Sequence, residues 1–148
     1  MSSLFSISVQ WKNPSMDFSY ETFIRKHTIG FSGNQILNNS SAPDFFGNVD
    51  TANPEELLVS ALASCHMLTF LAIASKSGYV VGSYTDQAEA ILDKNEEGKL
   101  AVTIINLNPI VLFSGDKQPD VEKLKSLHEK AHRNCFIANS IKTKVNIL

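Results

Sequence analysis

The strongest constraint on this chain is an apolar run over residues 57–74, bounded on both sides by helix punctuation. Asn53 suits an N-cap, Pro54 the first helical position, Glu55 and Glu56 the positive end of a helix dipole, and Gly78 the stop. One long helix over 53–78 follows. It is apolar on nearly every side, so other elements or a second copy must cover it. A bilayer span needs about 20 apolar residues. Here Ser60, Ser64, Cys65, His66 and Thr69 interrupt the run and alternating strand patterns flank it, which argues against a span.

The rest of the chain supplies strands and one more helix. Phe5, Ile7, Val9 and Trp11 alternate with Ser6, Ser8, Gln10 and Lys12 until Asn13-Pro14-Ser15 ends the pattern, the period of a half-buried strand. Residues 20–31, rich in aromatic and β-branched side chains, read as a second strand ending near Gly30 and Gly33, and 32–52 read as a loop. Residues 79–93 and 99–113 form a hairpin around Asn95-Glu96-Glu97-Gly98, with Asn106 and Pro109 marking a bend. A second helix occupies 119–134, with Asp120 and Glu122 in its first turn, and 140–148 close the chain as a strand. The order β-β-α-β-β-α-β is an α+β layout in a single domain over residues 1–148. Its one small sheet cannot cover the central helix, whereas a homodimer burying that helix twice can.

Composition removes several classes of function. A net charge of −2, with 13 basic residues scattered along the chain, gives no patch for nucleic acid or an anionic membrane, so a small or apolar ligand is expected. The N-terminal segment lacks a basic patch followed by an apolar run, so it is no signal peptide and a cytoplasmic location is expected.

Chemistry is confined to a few residues. Cys65 and Cys135 lie far apart in sequence; a bridge between them would stabilise by about 4 kcal/mol. In a reducing compartment the pair reads as catalytic, redox-sensing, or simply two buried thiols. Cys65 lies mid-helix, where the dipole has faded, so a nucleophilic Cys65 needs another group to lower its pKa, and an arginine is the natural agent. Cys135 follows a helix C-terminus, where negative partial charge disfavours a thiolate, so Cys65 would attack and Cys135 resolve. His128-Glu129-Lys130-Ala131-His132 matches the H-E-x-x-H pattern of zinc hydrolases, yet no Asp, Glu or His follows to supply a third ligand. A His-His-Cys set with Cys135, and Cys65 as a fourth ligand, is the remaining metal reading.

The run Asn53-Pro54-Glu55-Glu56-Leu57-Leu58, followed by Ala61-Leu62-Ala63-Ser64-Cys65-His66-Met67, resembles the central helix of the osmotically inducible protein C and organic hydroperoxide resistance (OsmC/Ohr) family. The segment Ala131-His132-Arg133-Asn134-Cys135-Phe136-Ile137-Ala138-Asn139-Ser140 resembles the family's second-cysteine segment, and the element order agrees over almost the whole chain. The resemblance implies an intertwined homodimer that needs no metal or nucleotide cofactor. It implies a cysteine-based peroxidase acting on organic, fatty-acid-type hydroperoxides. Cys65 would form a sulfenic acid, Cys135 would condense with it to a disulfide, and an external dithiol such as a lipoylated protein would reset the pair.

The resemblance also implies roles for the glutamate of the N-P-E motif, Glu55, and for an arginine of the N-terminal region, here Arg25 as the thiolate-stabilising, peroxide-orienting group. Glu55 precedes Cys65 by about 15 Å of helix, so it would serve a partner's site or act across a helix break. Two departures stand out. His66 follows the first cysteine, where a packing or interface role is expected, and Phe136 follows the second, where hydroperoxide-resistance members carry proline. Both place the chain nearer an OsmC-like branch, for which a hydrophobic-ligand binder or a redox sensor is the alternative, with a zinc hydrolase at His128 and His132 behind it.

Overall fold

The computed structural model describes all 148 residues, which form two compact units, Met1–Leu57 and Leu58–Leu148. In the first unit, β1 (Ser8–Gln10), β2 (His27–Gly30) and β3 (Ile36–Asn39) form an antiparallel sheet in that order, with Ile29 opposite both Val9 and Leu37. The strand expected over 20–31 is only its last third. Upstream, the Thr22 and Phe23 N–H groups both donate to the Ser19 carbonyl, and the Thr22 hydroxyl donates to Asp17 at 2.6 Å. These local turns compete with a ladder. The aromatic side chains pack on one another instead, with Trp11, Phe18 and Phe23 forming a ring cluster.

The segment expected as a loop, 32–52, contains β3 and a short 3₁₀ turn at Pro43–Phe45. Ile36-Leu37-Asn38-Asn39 offers only two apolar residues and two asparagines of low strand preference; the β2 ladder makes it a strand. A left-handed pair, Gly33 (φ 71°) and Asn34 (φ 59°), reverses the chain between β2 and β3.

The helix α1 (Pro54–Lys76) starts at the end of the first unit and runs on into the second. It opens with a reciprocal cap: the Glu56 N–H donates to Asn53 Oδ1 at 2.9 Å and the Asn53 N–H donates to Glu56 Oε2 at 3.2 Å. At its end Gly78 adopts φ 79°, and the Tyr79 N–H returns to the Ala74 carbonyl. A single stripe of α1 is buried: Leu62, His66, Phe70 and Ala74, each one turn from the last. The remaining faces are half-buried or open; Leu68 is 60% exposed. Within one chain, then, the apolar helix is covered along one side only.

In the second unit each expected long strand breaks in two. β4 (Val80–Asp86) pairs antiparallel with β7 (Pro109–Ser114), while β5 (Glu89–Lys94) pairs with β6 (Leu100–Leu107), and β8 (Lys144–Ile147) joins β6 in parallel. At the break Asp86 Oδ1 accepts the Asn108 N–H at 2.8 Å, so a side chain takes the place of a ladder partner. The hairpin turn is as read: Asn95 Oδ1 accepts the N–H groups of Glu97 and Lys99, and Gly98 sits at φ 76°. Helix α2 (Val121–Asn134) is capped by Asp120, whose carboxylate accepts the Lys123 N–H at 2.7 Å.

The core of this unit has two parts. Leu62, Ile105, Leu107 and Cys135 form one, where α1 meets β6 and the end of α2. Phe70, Ala74, Leu127 and Ala131 form the other, backed by Val81, Val111 and Phe113 of β4 and β7. Between them along α1 stands His66.

Candidate active site

Cys65 and Cys135 are both free thiols, the first half-buried on α1 and the second fully buried at the C-cap of α2. The fold brings them together: the Cys135 thiol hydrogen-bonds to Cys65. Burial pushes the Cys65 thiol up. The Ile137 N–H, the Cys135 thiol, the Phe136 N–H and the Thr69 hydroxyl outweigh it, so Cys65 ionises below the ordinary thiol range. Cys135 moves the other way. Burial is the largest influence and raises it, and Cys65 adds to that rise, against the opposing Ala138 and Ile137 N–H groups. The Ala138 N–H donates to Cys135 Sγ at 3.4 Å.

The groups that lower Cys65 were only partly legible in the sequence. Thr69 is one helical turn beyond Cys65, and its hydroxyl also donates to the Cys65 carbonyl at 2.8 Å, a spacing that sequence alone could have flagged. The N–H groups of Phe136 and Ile137 belong to residues of no special chemistry, and only the turn after α2 points them at sulfur. An open trough of about 700 Å³ borders Cys65, walled by Leu68, Ile73, Phe136 and Ile137.

Arg25 lies before β2, in a connecting segment rather than in a strand, which corrects its expected placement. Its guanidinium donates to the Phe23 carbonyl at 2.7 Å and to the Tyr20 carbonyl. It stacks 3.8 Å from the Phe23 ring centre, with Phe46 at 5.1 Å. An apolar cavity of about 400 Å³ opens beside it, bounded by Trp11, Phe18, Phe23 and His27. The Arg25 backbone is fixed in turn. Asn39 Nδ2 can only donate, so His27 Nε2 accepts at 3.0 Å and His27 Nδ1–H donates to the Arg25 carbonyl at 2.7 Å.

Glu55 sits in the first turn of α1, and its Oε2 is buried without a hydrogen-bond partner. It does not pair with Arg25; the ion pairs of the chain are Lys26–Asp50 and Lys99–Glu97. Because α1 is unbroken, about 15 Å of helix separates Glu55 from Cys65 of the same chain.

The H-E-x-x-H histidines do not build a metal centre, since no three His, Cys, Asp or Glu side chains converge on a common point. Instead His128 Nδ1 hydrogen-bonds to His66 Nε2 at 3.0 Å, with the two rings nearly parallel. His66 therefore packs inward, against α2.

Comparisons with known proteins agree with this fold. The family model described as OsmC-like protein matches residues 47–148. An uncharacterized protein of Bacillus subtilis (strain 168), YmaD, is 28% identical over 116 residues, covering 78% of this chain and 77% of YmaD. An OsmC-like protein of unknown function from Vibrio cholerae O1 biovar eltor superposes with a TM-score of 0.95 at 43% identity over 99% of both chains. An organic hydroperoxide resistance protein from Elizabethkingia anophelis shares the fold, with a TM-score of 0.72 at 18% identity over 99% of this chain and 95% of that one.

Proposed function

Since this chain belongs to the OsmC-like family, we propose that it is a cytoplasmic, homodimeric thiol peroxidase that reduces organic hydroperoxides of the fatty-acid type. The observation that carries this reading is the paired thiols: two reduced cysteines in hydrogen-bond contact, one pushed down and the other up. Such a pair divides the labour of attack and resolution.

The Cys65 thiolate attacks the terminal oxygen of R–O–OH. The O–O bond breaks, a sulfenic acid forms on Cys65, and the alkoxide leaves as ROH after taking up a proton. Cys135, protonated at rest, then loses its proton and attacks the Cys65 sulfur; the S–O bond breaks, water leaves and the disulfide forms. An external dithiol, of the lipoamide kind, reduces the disulfide by two exchange steps and is itself oxidised to a disulfide. The apolar trough beside Cys65 suits an alkyl chain better than it suits hydrogen peroxide. Arg25 is assigned the orienting role for peroxide and thiolate. Glu55, held too far along its own helix, is assigned to the site of the partner subunit.

Stopped-flow peroxide consumption tests this, with cumene hydroperoxide against hydrogen peroxide and dihydrolipoamide against thioredoxin. Wild type is expected to turn over the organic peroxide, Cys65→Ser to be inert, and Cys135→Ser to react once and stop. A Cys65→Ser protein with full activity would sink the reading. Thiol oxidation without reductant-driven cycling would make the protein a redox sensor.

A further inference from the structure

We propose that the buried His66–His128 pair is a proton-sensitive clamp that holds α1 and α2 in the register at which Cys65 and Cys135 can close a disulfide. The proposal rests on the thiol-pair reading above, to which it adds positioning residues.

The geometry is specific. His66 is 1% exposed and His128 is 8% exposed, and their bond is a directional polar link between the buried faces of the two helices. On α1 it lies between Leu62 and Phe70, which belong to the two apolar core clusters. On the other side, His128 and Ala131 of α2 and Cys135 at its C-cap are all buried, Ala131 packing with Phe70 and Cys135 with Leu62, the α1 residues that flank His66. Apolar layers tolerate sliding, whereas a buried polar bond is satisfied in one register only. A disulfide demands such a register, because the two Cα atoms must stand roughly 4.4 to 6.8 Å apart.

The pair also has a built-in sensitivity to protons. Its bond uses one proton. If His66 Nε2–H donates to His128 Nδ1, then His66 Nδ1 is left as a bare acceptor, buried and without a partner. The opposite arrangement would strand a buried N–H donor there, which is costlier. A proton entering the closed pair must therefore land on His66 Nδ1, where nothing accepts the new N–H. No carboxylate faces either ring. Phe70 stacks on His128 at 4.3 Å, and His132, one turn further along α2, repels a charge on His66. From β4, Tyr84 meets Phe70, with Asp86 behind it, and Cys65 and Cys135 lie in the adjoining layer. In the closed pair His66 resists protonation down to about pH 4, burial being the first cause, and burial lowers His128 as well, while a freely solvated histidine titrates near 6.5. Acid therefore favours the opened arrangement, in which the rings reach water.

The test uses 4,4′-dithiodipyridine, a thiol reagent active in acid, so it needs no peroxide and stands or falls apart from the peroxidase reading. One thiopyridone leaves as the reagent couples to Cys65. A second leaves when Cys135 displaces it and the intramolecular disulfide closes. The closing rate is compared between wild type and the His66→Gln/His128→Asn double variant, whose amides can hydrogen-bond but cannot charge. Thiol ionisation cancels in this ratio. Equal rates at pH 7.5 and a wild-type rate at least tenfold lower than the variant's at pH 4 are expected. His66→Phe, which removes the bond, is expected to close more slowly than wild type at pH 7.5.

A ratio that stays flat from pH 7.5 to 4, or a His66→Phe protein that closes as fast as wild type, overturns the clamp. Wild type alone gives a further check should a variant not fold. Its acid loss must share a midpoint with the imidazole resonances of His66 and His128 by NMR, and a separate midpoint overturns the proposal as well.

Discussion

At the scale of single residues, Cys65 gains its lowered pKa from hydrogen-bond donors around the sulfur, which outweigh the opposing effect of burial. Removing a donor should raise the pKa again. Cys135→Ala is expected to raise it more than Thr69→Val, in keeping with the order of their influence, and the pH dependence of iodoacetamide alkylation reads both. His66 gives a stability prediction with a definite sign. Burial, then His128 and His132, hold it at about 4 in the folded chain, whereas an unfolded histidine titrates near 6.5. Between those values the unfolded chain binds the extra proton, so folding stability is intact above pH 6.5 and falls as the pH drops toward 4. The loss should approach about 3 kcal/mol, at roughly 1.4 kcal/mol per pH unit. Urea titrations at pH 7 and pH 4.5 would measure it, and His66→Gln should flatten the difference. Gly47 is a steric case: a Cβ there would lie 1.5 Å from the Ser41 carbonyl oxygen, so Gly47→Ala should displace the 41–47 loop and lower the melting temperature.

At the scale of elements, α1 was the most legible feature of the sequence, and its caps explain why. Asn53 and Glu56 satisfy each other's N–H groups and Gly78 ends the last turn, all through contacts within a few residues. Asn53→Ala should cost about 1 kcal/mol, and Asp120→Ala a similar amount at α2. Phe70→Ala, which empties the centre of the second core cluster, should cost about 3–5 kcal/mol by chemical denaturation. The β elements were less legible. The Asn95–Lys99 turn was readable because Asn and Gly act locally, but the division of each long strand depends on Asp86 reaching Asn108, residues far apart in sequence. The aromatic segment before β2 misled for a related reason. Trp11, Phe18 and Phe23 satisfy one another around Arg25 rather than facing a sheet.

At the scale of the whole molecule, the apolar surface of a single chain is unfinished. Only 22% of the apolar window of α1 is buried, and Leu68, Val80, Ile110, Leu112 and Phe136 stand open to solvent. Exposed apolar surface of this extent favours association. Sedimentation is expected to give twice the 16.3 kDa chain mass, and Leu68→Lys to shift the protein toward monomer; a monomeric wild type would contradict the dimer. The sequence by itself determined the α+β class, the long capped helix and the two cysteines with their family spacing, because caps, turns and periodicity act over a few residues. Tertiary structure alone decided three other things: the meeting of Cys65 with Cys135, the N–H groups of Phe136 and Ile137 that lower the Cys65 pKa, and the pairing of His128 with His66. Each is a contact between groups remote along the chain, whose directions are set by how α1 and α2 pack and not by the identity of neighbouring residues.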